Sequence, residues 1–315
     1  MATYLETFQL PIDEESSLIA KRMWENGGPH GYIDNAYPCG IFGPKGLREV
    51  SFRKITIFYG GNGSGKSTLL NLIATKLGLN RVAPHNSGEL FDAYADRCGY
   101  AMGRDEEDFK YRIPNGSRIV TSDDVFDYML AVRMNNIDIR NGIERGKDEW
   151  REINADKSGG LGIKVRLTGV ENFEKFKANA LARDKSVSRR KYLQQIVGQE
   201  VRMGSNGETA LSYFEAKLKN DTLYCLDEPE NSMSLKMQLE LKEMLEELAR
   251  YCGCQLIIAT HSPFLLSLDG AIIYDLDASP VDIKSWWELE NTQVYFDFFE
   301  QYGFLFQKGY KVGDG

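Results

Sequence analysis

Short apolar runs and amphipathic stretches follow one another along most of this chain. Ile55, Ile57 and Phe58 form one β-prone run, and two further apolar runs end at Asp227 and Thr260. Apolar residues recur at helical spacing after the first run and between the last two, at Leu69, Leu70, Ile73 and Leu77 and at Leu235, Met237, Leu241, Met244, Leu245 and Leu248. The alternation predicts an α/β fold with a mostly parallel sheet and flanking helices.

Residues 80–199 follow a different pattern, because they are polar and charged and carry few strand signals. We expect one short strand there, Arg118–Thr121, with Ser122 as the N-cap of the next helix. Helical patterns recur at 123–132, 147–154, 170–183 and 186–199. The sequence therefore predicts a mainly helical insertion or lid at 80–199, between two parts of an α/β core, 1–79 and 200–315.

Composition is that of an ordinary soluble globular protein, with 315 residues, 42% of them hydrophobic and 27% charged. No apolar run reaches the roughly 18 residues of a membrane span. The N-terminus lacks the basic start and apolar middle of a signal peptide. Five cysteines without framework spacing indicate reduced thiols. We expect a cytoplasmic protein with no membrane partner.

The net charge of −8 argues against binding nucleic acid through overall charge. One local run is nevertheless basic, and it comprises Arg183, Lys185, Arg189, Arg190, Lys191 and Arg202. Such a run could contact a phosphate backbone or a partner's acidic face, and it could equally be a solvated helix face. Nucleic acid therefore stays open as a partner.

A glycine-rich turn separates the first strand from its helix. Gly60, Gly65, Lys66 and Ser67 match the pattern G-x-x-x-x-G-K-[ST], in which backbone N–H groups curl around an anion. Lys66 would reach the β- and γ-phosphates of a nucleotide, and the Ser67 hydroxyl would hold Mg²⁺. The predicted phosphate-binding residues are Gly60, Asn62, Gly63, Ser64, Gly65, Lys66, Ser67 and Thr68.

Two adjacent carboxylates follow the second apolar run. A buried strand would deliver Asp227 to the metal, where it accepts hydrogen bonds from the Mg²⁺ water shell. Glu228, the next residue, would polarise the attacking water as general base.

Two more polar turns complete a set of four motifs. Ser205, Gly207 and Glu208 precede a predicted helix at 208–218, whose open N-terminus would be a second anion site, although a plain helix cap has the same pattern. His261 follows the third apolar run, where a histidine is either structural or a sensor of bound phosphate.

The order of these motifs over residues 54–263 resembles the ATP-binding-cassette superfamily, which has the sequence Walker A, signature S-x-G-[QE], Walker B and switch histidine. Asp-Glu-Pro-Glu-Asn-Ser-Met-Ser, Ala-Thr-His-Ser-Pro-Phe-Leu-Leu and the tail Trp-Trp-Glu-Leu-Glu-Asn resemble its soluble stand-alone bacterial branch, close to RecF/SMC-like and overcoming-lysogenization-defect-like ATPases. The resemblance implies ATP and Mg²⁺ as cofactors. It implies that Lys66, Glu228 and His261 are catalytic and that Ser67 and Asp227 are metal ligands.

The resemblance also implies an ATP-dependent homodimer. Two subunits would sandwich two nucleotides head to tail, so that Ser205 and Gly207 of one cap the γ-phosphate held by Lys66 of the other. One departure stands out, because no glutamine occurs between Lys66 and Gln194 and the superfamily's Q-loop glutamine has no counterpart. Ser122 or Asp123 would substitute as an oxygen ligand near Mg²⁺.

The predicted function is that of an ATP hydrolase that couples dimer closing to a macromolecular task. The resemblance points to DNA maintenance or anti-phage defence, with a separately encoded effector protein. One alternative is the nucleotide-binding subunit of a membrane transporter, against which the missing glutamine and the insertion count. The other is an ATP-gated binding module with negligible hydrolysis, against which Glu228 and His261 count.

The segment before the phosphate loop carries two weaker signals. Tyr4–Leu10 alternates and is predicted to lie at the edge of the sheet. Tyr37 or Phe42 would stack on adenine or simply pack in the core.

Overall fold

The computed structural model describes residues 3–12, 14, 18, 19, 21, 37–155 and 206–306. Its strands are β1 Leu5–Gln9, β2 Glu49–Ser51, β3 Ile55–Tyr59, β4 Gly99–Met102, β5 Arg118–Thr121, β6 Leu223–Asp227, β7 Gln255–Ala259, β8 Ile272–Asp275 and β9 Asp282–Ile283. Its helices are α1 Lys66–Leu77, α2 Glu89–Arg97, α3 Ser122–Ala155, α4 Asn206–Lys217, α5 Leu235–Tyr251, α6 Pro263–Leu266 and α7 Glu290–Gln301. Short 3-10 turns occupy Trp286–Glu288 and Gly303–Phe306.

The main sheet has six strands in the order β5-β6-β7-β3-β8-β9. All neighbouring pairs are parallel except β8 with β9. Every residue of β3 and β7 is buried, as expected for parallel strands covered on both faces. This confirms the predicted α/β fold with a mostly parallel sheet.

The ends of three central strands lie level with one another. Phe58 is opposite Ala259, and Ala259 is opposite Asp227. Because these strands are parallel, the loops that leave their carboxyl ends emerge at one edge of the sheet. Those loops are the glycine-rich turn, the turn that contains the carboxylates and the turn that contains His261.

A second, antiparallel sheet has the order β2-β1-β4. The prediction that Tyr4–Leu10 lies at the edge of the main sheet is therefore wrong. The buried side chain of Gln255, in β7, instead accepts from the backbone N–H of Leu5 at 2.8 Å and donates to its carbonyl at 2.8 Å. The Gln255 side chain thus satisfies the N–H and the carbonyl of Leu5, and no strand of the main sheet pairs with them.

The chain divides into two compact units, Met1–Phe126 with Asn206–Gly315, and Asp127–Ser205. The first unit extends beyond residue 79, where the sequence predicts the end of the core segment. The reason is that β4 pairs with β1 and β5 pairs with β6, so residues 80–126 contribute to both sheets.

Helix α3 is longer than the sequence predicts. The patterns at 123–132 and 147–154 belong to a single helix, Ser122–Ala155, which begins in the first unit and continues into the second. Ser122 is its first residue rather than a preceding cap, and the Asp124 side chain instead accepts from the backbone N–H of Thr121 at 2.8 Å. The predicted helices at 170–183 and 186–199 and the basic run lie outside the described residues.

Helix α1 supplies much of the apolar contact with the main sheet. Its residues Leu69, Leu70 and Ile73 are fully buried and share one core with Phe58 of β3 and Ile257 of β7. The helix ends before Gly78, whose left-handed conformation (φ 63°) caps it. Among the described helices, none combines the length and apolar character that a membrane crossing requires.

Candidate functional site

The glycine-rich turn connects β3 to α1 and forms an open cradle. Gly60, Gly63 and Gly65 have φ angles of 155°, 81° and 104°, which side-chain-bearing residues rarely adopt. Gly65 is the N-cap of α1, and because it has no side chain, it makes no capping hydrogen bond to the N–H groups of the first helical turn. Because the N–H groups of the first helical turn have no partner within the helix, they are available to an anion at this place.

Two charged residues outside the motif fix the shape of the turn. The carboxylate of Asp277 accepts from the backbone N–H of Gly61 at 2.7 Å. The Lys45 ammonium donates to the carbonyls of Ser64 and Leu276 at 2.7 and 2.6 Å. Neither role could be predicted from the sequence, because Lys45 and Asp277 are remote from the turn along the chain.

We expect Gly65→Ala to damage the turn more than Gly63→Ala. Both glycines have positive φ, which costs a side-chain-bearing residue ~1–2 kcal/mol. At Gly65 an added Cβ would also lie 2.9 Å from Ile41 Cγ2 and 3.1 Å from Phe42 Cε1, whereas at Gly63 it meets nothing within 4 Å. Thermal unfolding of the two variants measures the difference, and equal unfolding midpoints would contradict it.

Lys66 is the first residue of α1, and its side chain lies inside the turn. It is buried, and its ammonium donates to the carbonyls of Gly60 and Gly61 at 2.7 and 3.0 Å. The same nitrogen is 3.7 Å from Oε1 of Glu228. The turn therefore holds a desolvated positive charge where the sequence predicts the phosphates of a nucleotide.

The other residues of the predicted phosphate cradle lie on this turn or in the first turn of α1. Asn62 is exposed at its tip, and the hydroxyl of Ser64 is buried without a hydrogen-bond partner among the described residues. Thr68 is buried in the first turn of α1, where its hydroxyl accepts from Tyr37 at 3.2 Å.

Ser67 and Asp227 come together across the site, as the metal prediction requires. The Ser67 hydroxyl donates to Oδ1 of Asp227 at 3.0 Å. Burial raises the pKa of Asp227 to about 6, although the hydrogen bond from Ser67 opposes this shift. A hydroxyl and a desolvated carboxylate are oxygen ligands of the kind that Mg²⁺ prefers, so the donor set fits this cation. Among the described residues, no group of three or more His, Cys, Asp or Glu side chains is placed to hold a metal ion.

The raised pKa of Asp227 predicts a stability change on replacement by Asn. The folded protein retains this proton more tightly than the unfolded chain, so stability falls as the pH rises from about 4 through 6. Asp227→Asn removes this cost and should stabilise the nucleotide-free protein at pH 8 by about 2–3 kcal/mol. Urea unfolding in EDTA at pH 8 and pH 4 measures the change, which should shrink at the lower pH. Equal or lower stability of the variant at pH 8 would refute this account.

Glu228 lies between the lysine and the histidine. Its Oε1 is 3.7 Å from Lys66 Nζ and 3.7 Å from His261 Nδ1, and its Oε2 accepts from the Asn231 amide at 3.0 Å. Its backbone is left-handed, with φ 47°, and its N–H donates to the carbonyl of Ala259 at 2.8 Å. The structure thus unites Lys66, Glu228 and His261, which the sequence predicts as catalytic.

The signature motif is only partly described. Ser205 lies outside the described residues. Gly207 and Glu208 are in the first turn of α4, where Gly207 is buried and Glu208 is exposed. A Cβ at Gly207 would lie 3.0 Å from Met237 Cγ, so the glycine allows α4 to approach α5 closely. The predicted contact of this motif with a nucleotide stays a prediction.

The two aromatic candidates for adenine stacking are engaged within the chain. Phe42 is almost fully buried and packs in the main core, in the neighbourhood of Gly65. Tyr37 stacks on Phe91, with ring centroids 5.8 Å apart. Core packing is therefore what the structure shows for Phe42, and Tyr37 already has an aromatic partner.

Comparison with known proteins gives one family match. The family model described as "AAA domain, putative AbiEii toxin, Type IV TA system" matches residues 208–267, which include Asp227, Glu228 and His261. No curated protein matches the sequence. The family match and the order of motifs along the sheet support an ABC-type P-loop ATPase domain.

Solved structures with detectable likeness include an SMC head domain from Thermotoga maritima, at 14% identity over 90% of this chain and 99% of that chain, with a TM-score of 0.34. The Smc head domain of Pyrococcus furiosus, bound to the C-terminal domain of ScpA, has 13% identity over 81% of this chain and 95% of that chain, with a TM-score of 0.36. A dimeric ATP-binding cassette bound to ADP and Pi has 14% identity over 76% and 90%, with a TM-score of 0.34. Similarity this low decides nothing about function.

Proposed function

We propose that this protein is an ATP hydrolase that binds Mg-ATP in the cradle between β3 and α1. The observation that carries the proposal is the meeting of Lys66, the Ser67–Asp227 pair and Glu228 with His261 at one edge of the main sheet. These groups supply a cation for phosphate, two oxygen ligands for Mg²⁺ and a base close to both.

The turn and Lys66 bind the phosphates. The ammonium is already desolvated and held by backbone carbonyls, so it needs little rearrangement to donate to phosphate oxygens instead. Ser67 and Asp227 would hold Mg²⁺, which neutralises charge on the phosphates when it is bound. The ordering of these groups before nucleotide arrives lowers the cost of reaching the transition state.

Glu228 orients and deprotonates the attacking water. Asn231 fixes one of its oxygens by a hydrogen bond, while the other faces Lys66 and His261. The side chain is about a quarter exposed, at 24%, so a water molecule can reach it. His261, with 47% of its side chain exposed, is placed to hydrogen-bond the γ-phosphate.

Two subunits would close head to tail around two nucleotides, and hydrolysis would release them. In this arrangement Ser205 and Gly207 of one subunit complete the site of the other. ATP then stabilises the closed state by binding it better than the open one. We place the task of the clamp in DNA maintenance or anti-phage defence, with a separately encoded effector.

The missing Q-loop glutamine needs a substitute near the metal. Thr121 is opposite Asp227 in the sheet, and Ser122 and Asp123 follow it as the first residues of α3. We expect Ser122→Ala or Asp123→Ala to lower Mg²⁺-dependent hydrolysis, because one of them would supply the oxygen ligand. Wild-type rates in both variants would exclude the substitution.

Phosphate release by the purified chain tests the proposal. Release from ATP should require Mg²⁺ and stop in EDTA. Tight ATP binding without release would favour the ATP-gated binding module. Neither binding nor release would overturn the proposed function.

A further inference from the structure

Glu230 is a buried carboxylate that the chemistry above does not use. Its side chain is 4% exposed, in the turn that follows β6. Its Oε1 accepts three hydrogen bonds, from the hydroxyl of Thr260 and from the backbone N–H groups of His261 and Ser262, the latter two at 3.3 Å. Its Oε2 has no hydrogen-bond partner among the described residues.

This arrangement is expensive for the fold. A buried carboxylate loses its hydration, and that loss raises the pKa of Glu230. A basic group beside it is His261, whose Nδ1 is 3.8 Å from Oε1. A glutamine of the same size would offer the same donors an acceptor without a buried charge. Stability alone is therefore a poor reason for a charged residue here.

The side-chain hydrogen bonds of Glu230 all reach one short turn, Thr260–Ser262. That turn is also tied to α5, because the Ser262 hydroxyl donates to the Gln238 side chain at 2.7 Å. Gln238 in turn donates to the carbonyl of Met233 at 3.2 Å. The backbone that carries His261 is thus held on two sides, and Glu230 is its link to the strand end that carries Glu228.

We propose that Glu230 is a positioning residue for hydrolysis, which fixes the backbone of His261 so that its imidazole faces Glu228 and the phosphate cradle. The inference rests on the proposed ATPase function and names one more residue of the same site. Glu230 acts through His261 and touches neither water nor nucleotide itself. Its loss should slow the chemical step without weakening nucleotide binding.

Steady-state hydrolysis and ATP affinity of Glu230→Ala test this role. We expect kcat to fall by roughly 10–100-fold, because a small displacement of a catalytic group costs about that much. The Kd for ATP should stay at the wild-type value. Glu230→Gln keeps the accepting oxygen and should recover most of the rate, since its amide nitrogen replaces the oxygen that has no partner.

A double-variant cycle separates positioning from general damage. If Glu230 acts through His261, the variant with both residues replaced by Ala should be no slower than His261→Ala alone. The matched control is Glu246→Ala, since the Glu246 carboxylate also accepts from a backbone N–H, at 3.0 Å, but from that of Asp269, outside the Thr260–Ser262 turn. Its kcat should remain that of the wild type.

Thr260→Val provides a second route if Glu230→Ala does not fold. It removes the hydroxyl that donates to Glu230 and accepts from the Ser262 N–H at 3.0 Å, and kcat should again fall at constant ATP affinity. A wild-type kcat in Glu230→Ala or Thr260→Val, or losses that multiply in the double variant, would overturn the positioning role while leaving the ATPase intact. A wild-type protein that releases no phosphate would overturn the proposed function, and the positioning role with it.

Discussion

Glu228→Gln should stop ATP hydrolysis while leaving ATP binding intact. The amide cannot take a proton from water, and loss of a general base typically costs about 10²–10⁴-fold in rate. Binding should persist, because the groups assigned to the phosphates and the metal, Lys66, Ser67 and Asp227, are unchanged. Single-turnover phosphate release and equilibrium binding of ATP measure the two effects separately.

The control for this variant is Glu240→Gln on α5, a partly exposed carboxylate 3.8 Å from the Lys236 ammonium. It loses the same charge far from the sheet edge and should hydrolyse ATP at the wild-type rate. Retention of more than a tenth of the wild-type rate by Glu228→Gln would mean that another group is the base.

Lys66→Ala should abolish detectable ATP binding. The buried ammonium lies inside the cradle, where it donates to the carbonyls of Gly60 and Gly61. Without it the phosphates meet those carbonyl oxygens unopposed, and charge-assisted bonds to several phosphate oxygens are lost. We expect the Kd to rise by at least about 100-fold, or 2.7 kcal/mol.

Lys76→Ala is the matched control, because Lys76 lies on the same helix and also donates to a backbone carbonyl, that of Asp96, at 2.7 Å. It is partly exposed in the last turn and should bind ATP as the wild type does. Equal affinities in Lys66→Ala and the wild type would remove the cradle from the nucleotide site.

The main sheet and its three strand-end turns could be predicted because local signals agree there. The run at Ile55–Tyr59, the glycines and the periodic apolar residues of α1 all require the same strand-turn-helix unit. Asp227 ends one short, mostly apolar strand and His261 closely follows another, and their place in a parallel sheet brings both residues to one edge. The pairs Ser67–Asp227 and Glu228–His261 follow from that topology.

What could not be predicted depends on contacts between distant segments. A weakly alternating strand such as β1 does not reveal which sheet it joins, because its partners β2 and β4 lie about 40 and 90 residues away in the chain. Lys45 and Asp277 hold the glycine-rich turn from remote positions, so no local pattern marks them. Glu230 was visible only as one acid among several in a polar turn, and its burial became evident from the fold.

The length of α3 was underestimated for a different reason. Polar residues interrupt the apolar period of a helix without ending it. The sequence pattern therefore indicates two short helices in a segment that forms one helix of 34 residues. No proline lies between them, and the isolated glycines Gly142 and Gly146 lower helix propensity without ending the helix.

We propose that ATP closes a dimer around this site, and the mass of the Glu228→Gln variant in solution tests this dimerisation. Light scattering would compare one preparation in Mg-ATP and in Mg-ADP, because this variant should bind ATP without consuming it. We expect the Glu228→Gln variant to be a dimer in Mg-ATP and a monomer in Mg-ADP. The same mass in both nucleotides would contradict ATP-gated closing and leave the site without its proposed role in association.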